Sequence, residues 1–389
     1  MNNILITGAT GTIGAYSALY LKERGHKVIA SGRRRSNNGF FREYGIDYHS
    51  LDITDSANFE KLNNYKIDAV LHAAGIMPAV MEGYQPQKYV DSIVSGTLNV
   101  LEFMKNNNIP KIIFTQSLSD TAYLWSKTPT PADAVKKFPP NNDHSVYVIC
   151  KNAAVDLIEH YHYKFDMKRF VLRLPTIYAY NPKEDFFVDG KKKPVAYKFL
   201  INKAIKGEPI EVWGDKTRVR EITYIDDLCQ IIEKAILSQL EGGMYNVGRG
   251  VGVSLEEQIL GIIEVFSSKD NKSKLIYRPD MPNTNEFVHD ISKTQTELGY
   301  NPEFDYLKLL KAIKQEMQLQ RFKTLWGTAE EYPPPHTPSN WLQNKQLKSQ
   351  SFCIFYQRRS KKNFICFDLR CSTCTEIFTT QFCEERRAA

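Results

Sequence analysis

Asn3-Ile4-Leu5-Ile6-Thr7-Gly8-Ala9-Thr10-Gly11-Thr12-Ile13-Gly14 decides the fold. Its apolar start, closed by Thr7-Gly8, has the pattern of a buried strand ending in a turn. From Gly14 to Arg24 the spacing becomes helical and stops at Gly25. Strand, glycine turn and helix in that order suit a dinucleotide. Glycines allow a tight turn and close backbone approach, and the helix start offers free N–H groups to a pyrophosphate. Gly8, Thr10, Gly11, Thr12, Ile13 and Gly14 are therefore candidate cofactor residues.

Working outward, residues 27–30, 68–72 and 111–115 read as strands, and 90–105 as a helix. Strand and helix alternate to about residue 175, which implies an α/β fold with a parallel sheet covered on both faces. Beyond Pro175 the rhythm breaks. Residues 181–194 read as a loop, 195–206 as a helix, 210–213 as a strand and 226–237 as a helix. A glycine-rich stretch follows at 242–253. A helix over 254–266 opens with Ser254 and Glu257 in capping-box spacing, and 304–322 reads as the last helix. The expected organisation is a dinucleotide domain over 1–175, with some return of chain from later, a smaller mixed α/β substrate lobe over 176–325, and a linker and tail over 326–389.

The tail differs in composition. Trp341 to Ala389 carries nine Lys/Arg against four Asp/Glu, leaving 42 against 40 in the first 340 residues. A body so nearly neutral offers no extended face for nucleic acid. Five of the seven cysteines, Cys353, Cys366, Cys371, Cys374 and Cys383, lie in the last 49 residues. Their irregular spacing predicts no metal site, and the tail is expected to be disordered. The two body cysteines, Cys150 and Cys229, read as a reducing-compartment, cytoplasmic protein without disulfides. No run approaches the roughly 18 apolar residues of a membrane span, and the first residues lack a secretory pattern.

An acid at the end of the second strand would take the ribose 2′-hydroxyl of NAD. Here Ser31-Gly32-Arg33-Arg34-Arg35 follows instead. Guanidinium groups suit a 2′-phosphate, so Arg33 and Arg34 tip the expectation to NADP over NAD. Asp52, beside Ile53, either hydrogen-bonds the adenine amino group or caps a helix over 54–61.

Tyr147 and Lys151 stand four apart, on one face of a helix. A cation beside a phenol favours the phenolate and makes proton exchange with a sugar hydroxyl feasible near neutral pH. About thirty residues earlier, Ser117 follows a strand's carboxyl end, where such folds bind ligands. It is placed to hold the substrate hydroxyl while Tyr147 takes or returns its proton.

Taken together, the glycine turn, His72-Ala73-Ala74-Gly75, Ser117 and Tyr147-x-x-x-Lys151 resemble the extended short-chain dehydrogenase/reductases, the NAD-dependent epimerase/dehydratase group. The resemblance continues through Leu172-Arg173-Leu174-Pro175-Thr176-Ile177-Tyr178, Arg220-Glu221-Ile222-x-Tyr224, Gly243-x-Tyr245-Asn246-Val247-Gly248 and Leu298-Gly299-Tyr300. It implies a Rossmann-type domain for NAD or NADP, touched also by Ala73, Ala74 and Pro175, and a lobe for a nucleotide-diphosphate sugar. It implies Ser117, Tyr147 and Lys151 as catalytic residues, with Lys151 also on the nicotinamide ribose. Thr176 and Arg220 become substrate residues, Arg220 on the diphosphate. A homodimer through the helices near 90–105 and 147–163 is a further implication. The implied activity is epimerisation by transient oxidation at sugar C4. An NADPH-dependent keto-sugar reductase and a catalytically dead cofactor-binding scaffold are the alternatives. Leu118-Ser119 stand where the family's 4,6-dehydratases carry their acid–base pair, which removes the proton shuttles for elimination. Ile93 also departs, where many members carry Asn.

Overall fold

A computed structural model describes residues 1–327 except 81–82, 126–128, 142 and 189, together with the backbone of 356–358 and 361–363. Six strands come from the first half of the chain: β1 (Asn3–Thr7), β2 (Lys27–Gly32), β3 (Asp47–Ser50), β4 (Ala69–His72), β5 (Lys111–Ser117) and β6 (Lys168–Leu174). Seven smaller or later strands follow before residue 250: β7 (Thr176–Tyr178), β8 (Asp185–Val188), β9 (Lys191–Pro194), β10 (Ile210–Trp213), β11 (Val219–Arg220), β12 (Ile222–Tyr224) and β13 (Gly242–Asn246). β14 (Val253–Ser254) and β15 (Leu275–Arg278) complete the lobe. The central sheet runs β13-β6-β5-β4-β1-β2-β3, all parallel.

Alternation along each central strand separates two cores. Ile4 and Ile6 face one side with Leu71, Ile113 and Phe170, under helices α1 (Thr12–Glu23) and α7 (Ile225–Leu237). Leu5 faces the other with Val70, Ile112 and Phe114, under α4 (Gly96–Asn106) and α5 (Asp143–Phe165). Strands buried on both faces read as unbroken apolar runs, which is why β1 and β4 stood out in the sequence. The remaining helices are α2 (Phe40–Glu43), α3 (Pro86–Tyr89), α6 (Ala196–Lys206), α8 (Leu255–Phe266), α9 (Ser292–Leu298), α10 (Tyr306–Leu319) and α11 (Lys323–Trp326).

Several elements differ from the sequence reading. The 181–194 stretch is not a plain loop: β8 and β9 pair antiparallel, and Lys192 bridges Asp185 at 2.9 Å. The glycine-rich stretch supplies β13, an edge strand of the main sheet. Gly242 has φ +84°, and a Cβ there would stand 1.9 Å from the Arg169 carbonyl oxygen. The helix expected at 90–105 is a π-helical stretch, Val90–Ser95, leading into α4. The helix expected at 54–61 is a 3-10 turn, Ser56–Leu62, capped by Asp55 rather than Asp52. The last long helix stops at Leu319, where Gln320 turns left-handed at φ +47°, and the chain then forms α11. The capping box at Ser254 and Glu257 is present as expected.

Met1–Tyr332 forms one compact unit, and Pro333–Ala389 is a second. In the second unit the described residues are two short antiparallel strands, Tyr356–Arg358 and Lys361–Asn363. The tail cysteines lie outside the described residues. Among the described residues, no helix is long and apolar enough to cross a membrane.

Candidate active site

Gly8 fixes the geometry at the carboxyl end of β1. Its φ is +78°, and a Cβ there would come within 2.8 Å of the Ala74 backbone. Any side chain would drive β1 away from the loop after β4. Gly14 is equally constrained, because its Cβ would lie 2.4 Å from the Gly8 carbonyl oxygen. α1 then begins after Gly11 with no side-chain cap and no acid in its first turn. A bare, twelve-residue helix start beside a glycine cradle fits the pyrophosphate of a dinucleotide. Ala9 N–H donates to the Ser31 carbonyl at 2.8 Å, tying the turn to the end of β2.

The expected adenosine ligands are placed less simply. Arg33 is exposed. Arg34 donates from Nη1 to the Leu325 carbonyl at 2.7 Å. Asp52 turns its Oδ1 onto Thr54, accepting from N at 3.0 Å and from Oγ1 at 2.9 Å. Ile53 is buried, in a spot where a Cβ on Gly96 would meet it at 2.6 Å.

Two strands along the sheet from β1, β5 and α5 are bonded together. Lys151 Nζ donates to the Thr115 carbonyl at 2.7 Å and lies 4.4 Å from the Phe114 ring centre. Gln116 donates from Nε2 to Asn152 Oδ1 at 2.9 Å and accepts from the Ser117 N–H at 2.7 Å. Ser117 is the last residue of β5, and its Oγ accepts from Ser119 N at 3.2 Å. Ser119 Oγ shares a 3.2 Å hydrogen bond with His144 Nε2, and the His144 ring lies 5.3 Å from that of Tyr147. The strand end carrying Ser117 and the helix face carrying Tyr147 and Lys151 are thus joined by side-chain contacts.

The electrostatics depart from the expected phenol–ammonium pair. Burial, then neighbouring Tyr89, pushes the Tyr147 phenol above its ordinary range. Its ring packs 6.1 Å from Tyr89 in the apolar cluster under α4 and α5. Lys151 spends its ammonium on the strand carbonyl, and burial pushes its pKa down to about 7. His72, pushed to about 3 by burial and then by Lys151, stays neutral. It bridges Thr7 Oγ1 at 2.7 Å and Thr97 Oγ1 at 3.0 Å, fastening β1, β4 and α4.

Sequence reasoning missed the residues that hold this arrangement. Asp120, the first carboxylate after Ser117, is fully buried against Arg173, with Nε–Oδ1 at 3.0 Å. Arg173 also donates to the Ala132 carbonyl and to Asn246 Oδ1, both at 3.0 Å. Removing one partner from such a pair costs about 3–5 kcal/mol, so Asp120 anchors the turn after Ser117. In the lobe, β7 pairs with β12, setting Thr176 opposite Ile222, and Pro175 is buried between β6 and β7. The half-buried Arg220 guanidinium lies 5.5 Å from the Phe287 ring centre and forms no ion pair with a described residue. No cluster of three or more His, Cys, Asp or Glu among the described residues is arranged to hold a metal.

A model of the NAD dependent epimerase/dehydratase family matches residues 4–248. The chain belongs to this family. It is an NAD(P)-dependent enzyme of the extended short-chain dehydrogenase/reductase type. UDP-glucuronate 4-epimerase of Thermodesulfobacterium geofontis is 28% identical over 327 residues, covering 80% of this chain and 94% of that protein. UDP-glucuronate 4-epimerase 5 of Arabidopsis thaliana is 27% identical over 329 residues, covering 78% of this chain and 72% of that protein. UDP-glucose 4-epimerase of Thermotoga maritima, solved with UDP-glucose, superposes with a TM-score of 0.68 at 21% identity, over 82% of this chain and 99% of that one. A UDP-glucuronic acid 4-epimerase mutant from Bacillus cereus, solved with NAD and a fluorinated sugar nucleotide, gives 0.66 at 22% identity, over the same shares. These two structures share the fold.

The buried lysine has a measurable signature. Its folded pKa near 7 lies below the 10.5 of a free lysine. Between those values the unfolded chain binds a proton that the native chain does not, so this contribution to stability rises with pH. The unfolding free energy of the wild type minus that of Lys151→Met should therefore increase from pH 7 to about 9.5 in urea titrations. A constant difference contradicts the burial.

Proposed function

We propose that the chain is an NAD(P)-dependent UDP-sugar 4-epimerase. The observation that carries this reading is the bonded junction of β5, which ends at Ser117, with α5, which carries Tyr147 and Lys151, in the same parallel sheet whose β1 ends in the glycine turn. The activities named for the relatives support it, and a UDP-hexose or UDP-hexuronate is the substrate class they favour.

A bound nicotinamide supplies one chemistry, reversible hydride acceptance at the sugar carbon. The chain's own residues do the rest. Ser117 holds the C4 hydroxyl. Tyr147 takes its proton and gives it back. Lys151 lies one helical turn from Tyr147 and holds the nicotinamide ribose. Its pKa near 7 makes its charge responsive to what binds beside it. Arg220, without a carboxylate partner among the described residues, neutralises the diphosphate. Thr176, half-buried on β7, contacts the sugar.

Elimination chemistry finds no support, because Asp120 is committed to Arg173. A one-way reductase drew its case from the arginines after β2, and Arg34 is engaged by the chain itself. The free, buried thiols of Cys150 and Cys229 suit the reducing cytoplasm. Leu98 on α4 and Ile149 on α5 stay exposed, which supports a homodimer across these helices. Sedimentation of the purified chain should give a dimer, and a monomer at micromolar concentration rules that interface out.

Turnover tests the chemical assignment. Tyr147→Phe should lower conversion of UDP-glucuronate or UDP-glucose to its C4 epimer by at least about 100-fold, while cofactor binding is kept. Near-normal turnover in that variant overturns the role of Tyr147.

A further inference from the structure

The short helix α11, near the end of the compact unit, is built into the glycine turn. Trp326 donates its indole N–H to the Thr10 carbonyl at 3.0 Å. The Leu325 carbonyl receives Arg34 Nη1 at 2.7 Å, and the Thr324 carbonyl receives Asn38 Nδ2 at 3.0 Å. Phe322 sits behind these bonds, 4.3 Å from the Tyr16 ring centre, 4.7 Å from Trp326 and 5.6 Å from Phe40. Phe322, Leu325 and Trp326 are all buried. One five-residue segment therefore grips the glycine turn, α1 and the loop after β2. These segments already adjoin: a Cβ on Gly32 would stand 3.0 Å from Thr10 Oγ1. The loop itself is pinned by Tyr48, whose hydroxyl donates to the Arg34 carbonyl at 2.7 Å.

We propose that residues 322–326 form a cofactor-discriminating clasp, which holds the Arg34 guanidinium on the Leu325 carbonyl so that the site takes NAD and disfavours the 2′-phosphate of NADP. The inference rests on the dinucleotide reading of the glycine turn. In folds of this kind the loop after the second strand meets the adenosine ribose. A free guanidinium there recruits a 2′-phosphate through paired, charge-assisted hydrogen bonds. Arg34 already commits Nη1 to the Leu325 carbonyl, which fixes where its planar fork points. Turning it to a phosphate breaks its bond to Leu325 and leaves that carbonyl without this donor. Arg33 is exposed, and ordering its long side chain costs entropy that a prearranged arginine avoids. Trp326 acts through Thr10 and Arg34 and is a positioning residue.

Calorimetric titration of NAD and of NADP into the full chain, stripped of co-purifying nucleotide, tests the clasp. The wild type should bind NAD at least about tenfold more tightly than NADP. Trp326→Ala should narrow that ratio by about fivefold or more through tighter NADP binding, and adding Arg34→Ala should cancel the gain. Arg34→Ala alone should leave NADP affinity within about twofold, since the guanidinium is held on the Leu325 carbonyl and away from the phosphate. This variant alters a half-buried loop residue and decides the matter if Trp326→Ala fails to fold. A wild-type preference for NADP, a tenfold loss of NADP affinity in Arg34→Ala, or a lowered melting temperature in Trp326→Ala with an unchanged ratio overturns the clasp. Failure of both nucleotides to bind the wild type overturns the dinucleotide reading as well.

Discussion

Everything at the carboxyl edge of the sheet depends on β1 lying against the loop after β4, which only a residue without a side chain permits. Gly8 has a positive φ and no room for a Cβ beside Ala74. Its neighbour Thr7 accepts the Ala73 N–H at 3.2 Å through its carbonyl and reaches His72 through its hydroxyl. That contact sets where α1 begins and how its bare amino end is aimed. It also brings β4, and through His72 and Thr97 helix α4, into register with the turn. A single methyl group at Gly8 would move several elements at once, because packed interiors do not deform smoothly.

The opposite side of the cleft is held by buried polar bonds. Lys151 and Asn152 tie α5 to the end of β5, and Arg173 ties the turn after Ser117 to β6 and β13. Such groups are costly to bury unless each is paired. Here each has a partner, and the same pairing holds the strand end of Ser117 against the helix that carries Tyr147 and Lys151. Lys151 therefore has two duties that pull apart. Its burial orders the helix on the strand and also draws its charge down.

The parts of this site visible in the sequence were local ones. A strand, three glycines and a helix declare themselves within a dozen residues, and Tyr147 and Lys151 share a face because a helix repeats every 3.6 residues. What escaped reading depends on partners far along the chain. Trp326 and Thr10 are 316 residues apart, and Arg34 and Leu325 are 291 apart. Gly242 looked like loop glycine until the Arg169 carbonyl explained it. The β8–β9 hairpin hides behind lysines and a proline, which weaken any strand pattern. The phenol's environment differs from the expected ion pair for a related reason: spacing places an ammonium one turn away but does not say where a flexible lysine aims it.

The central claim is that Ser117, Tyr147 and Lys151 work on a sugar beside a cofactor that is returned unchanged. Following a deuterium label through one conversion tests it most directly. Purified protein with NAD and UDP-glucuronate or UDP-glucose deuterated at C4 should yield the C4 epimer with the label still on C4. Release of deuterium into free reduced cofactor, or failure of both sugars to convert, would contradict the account.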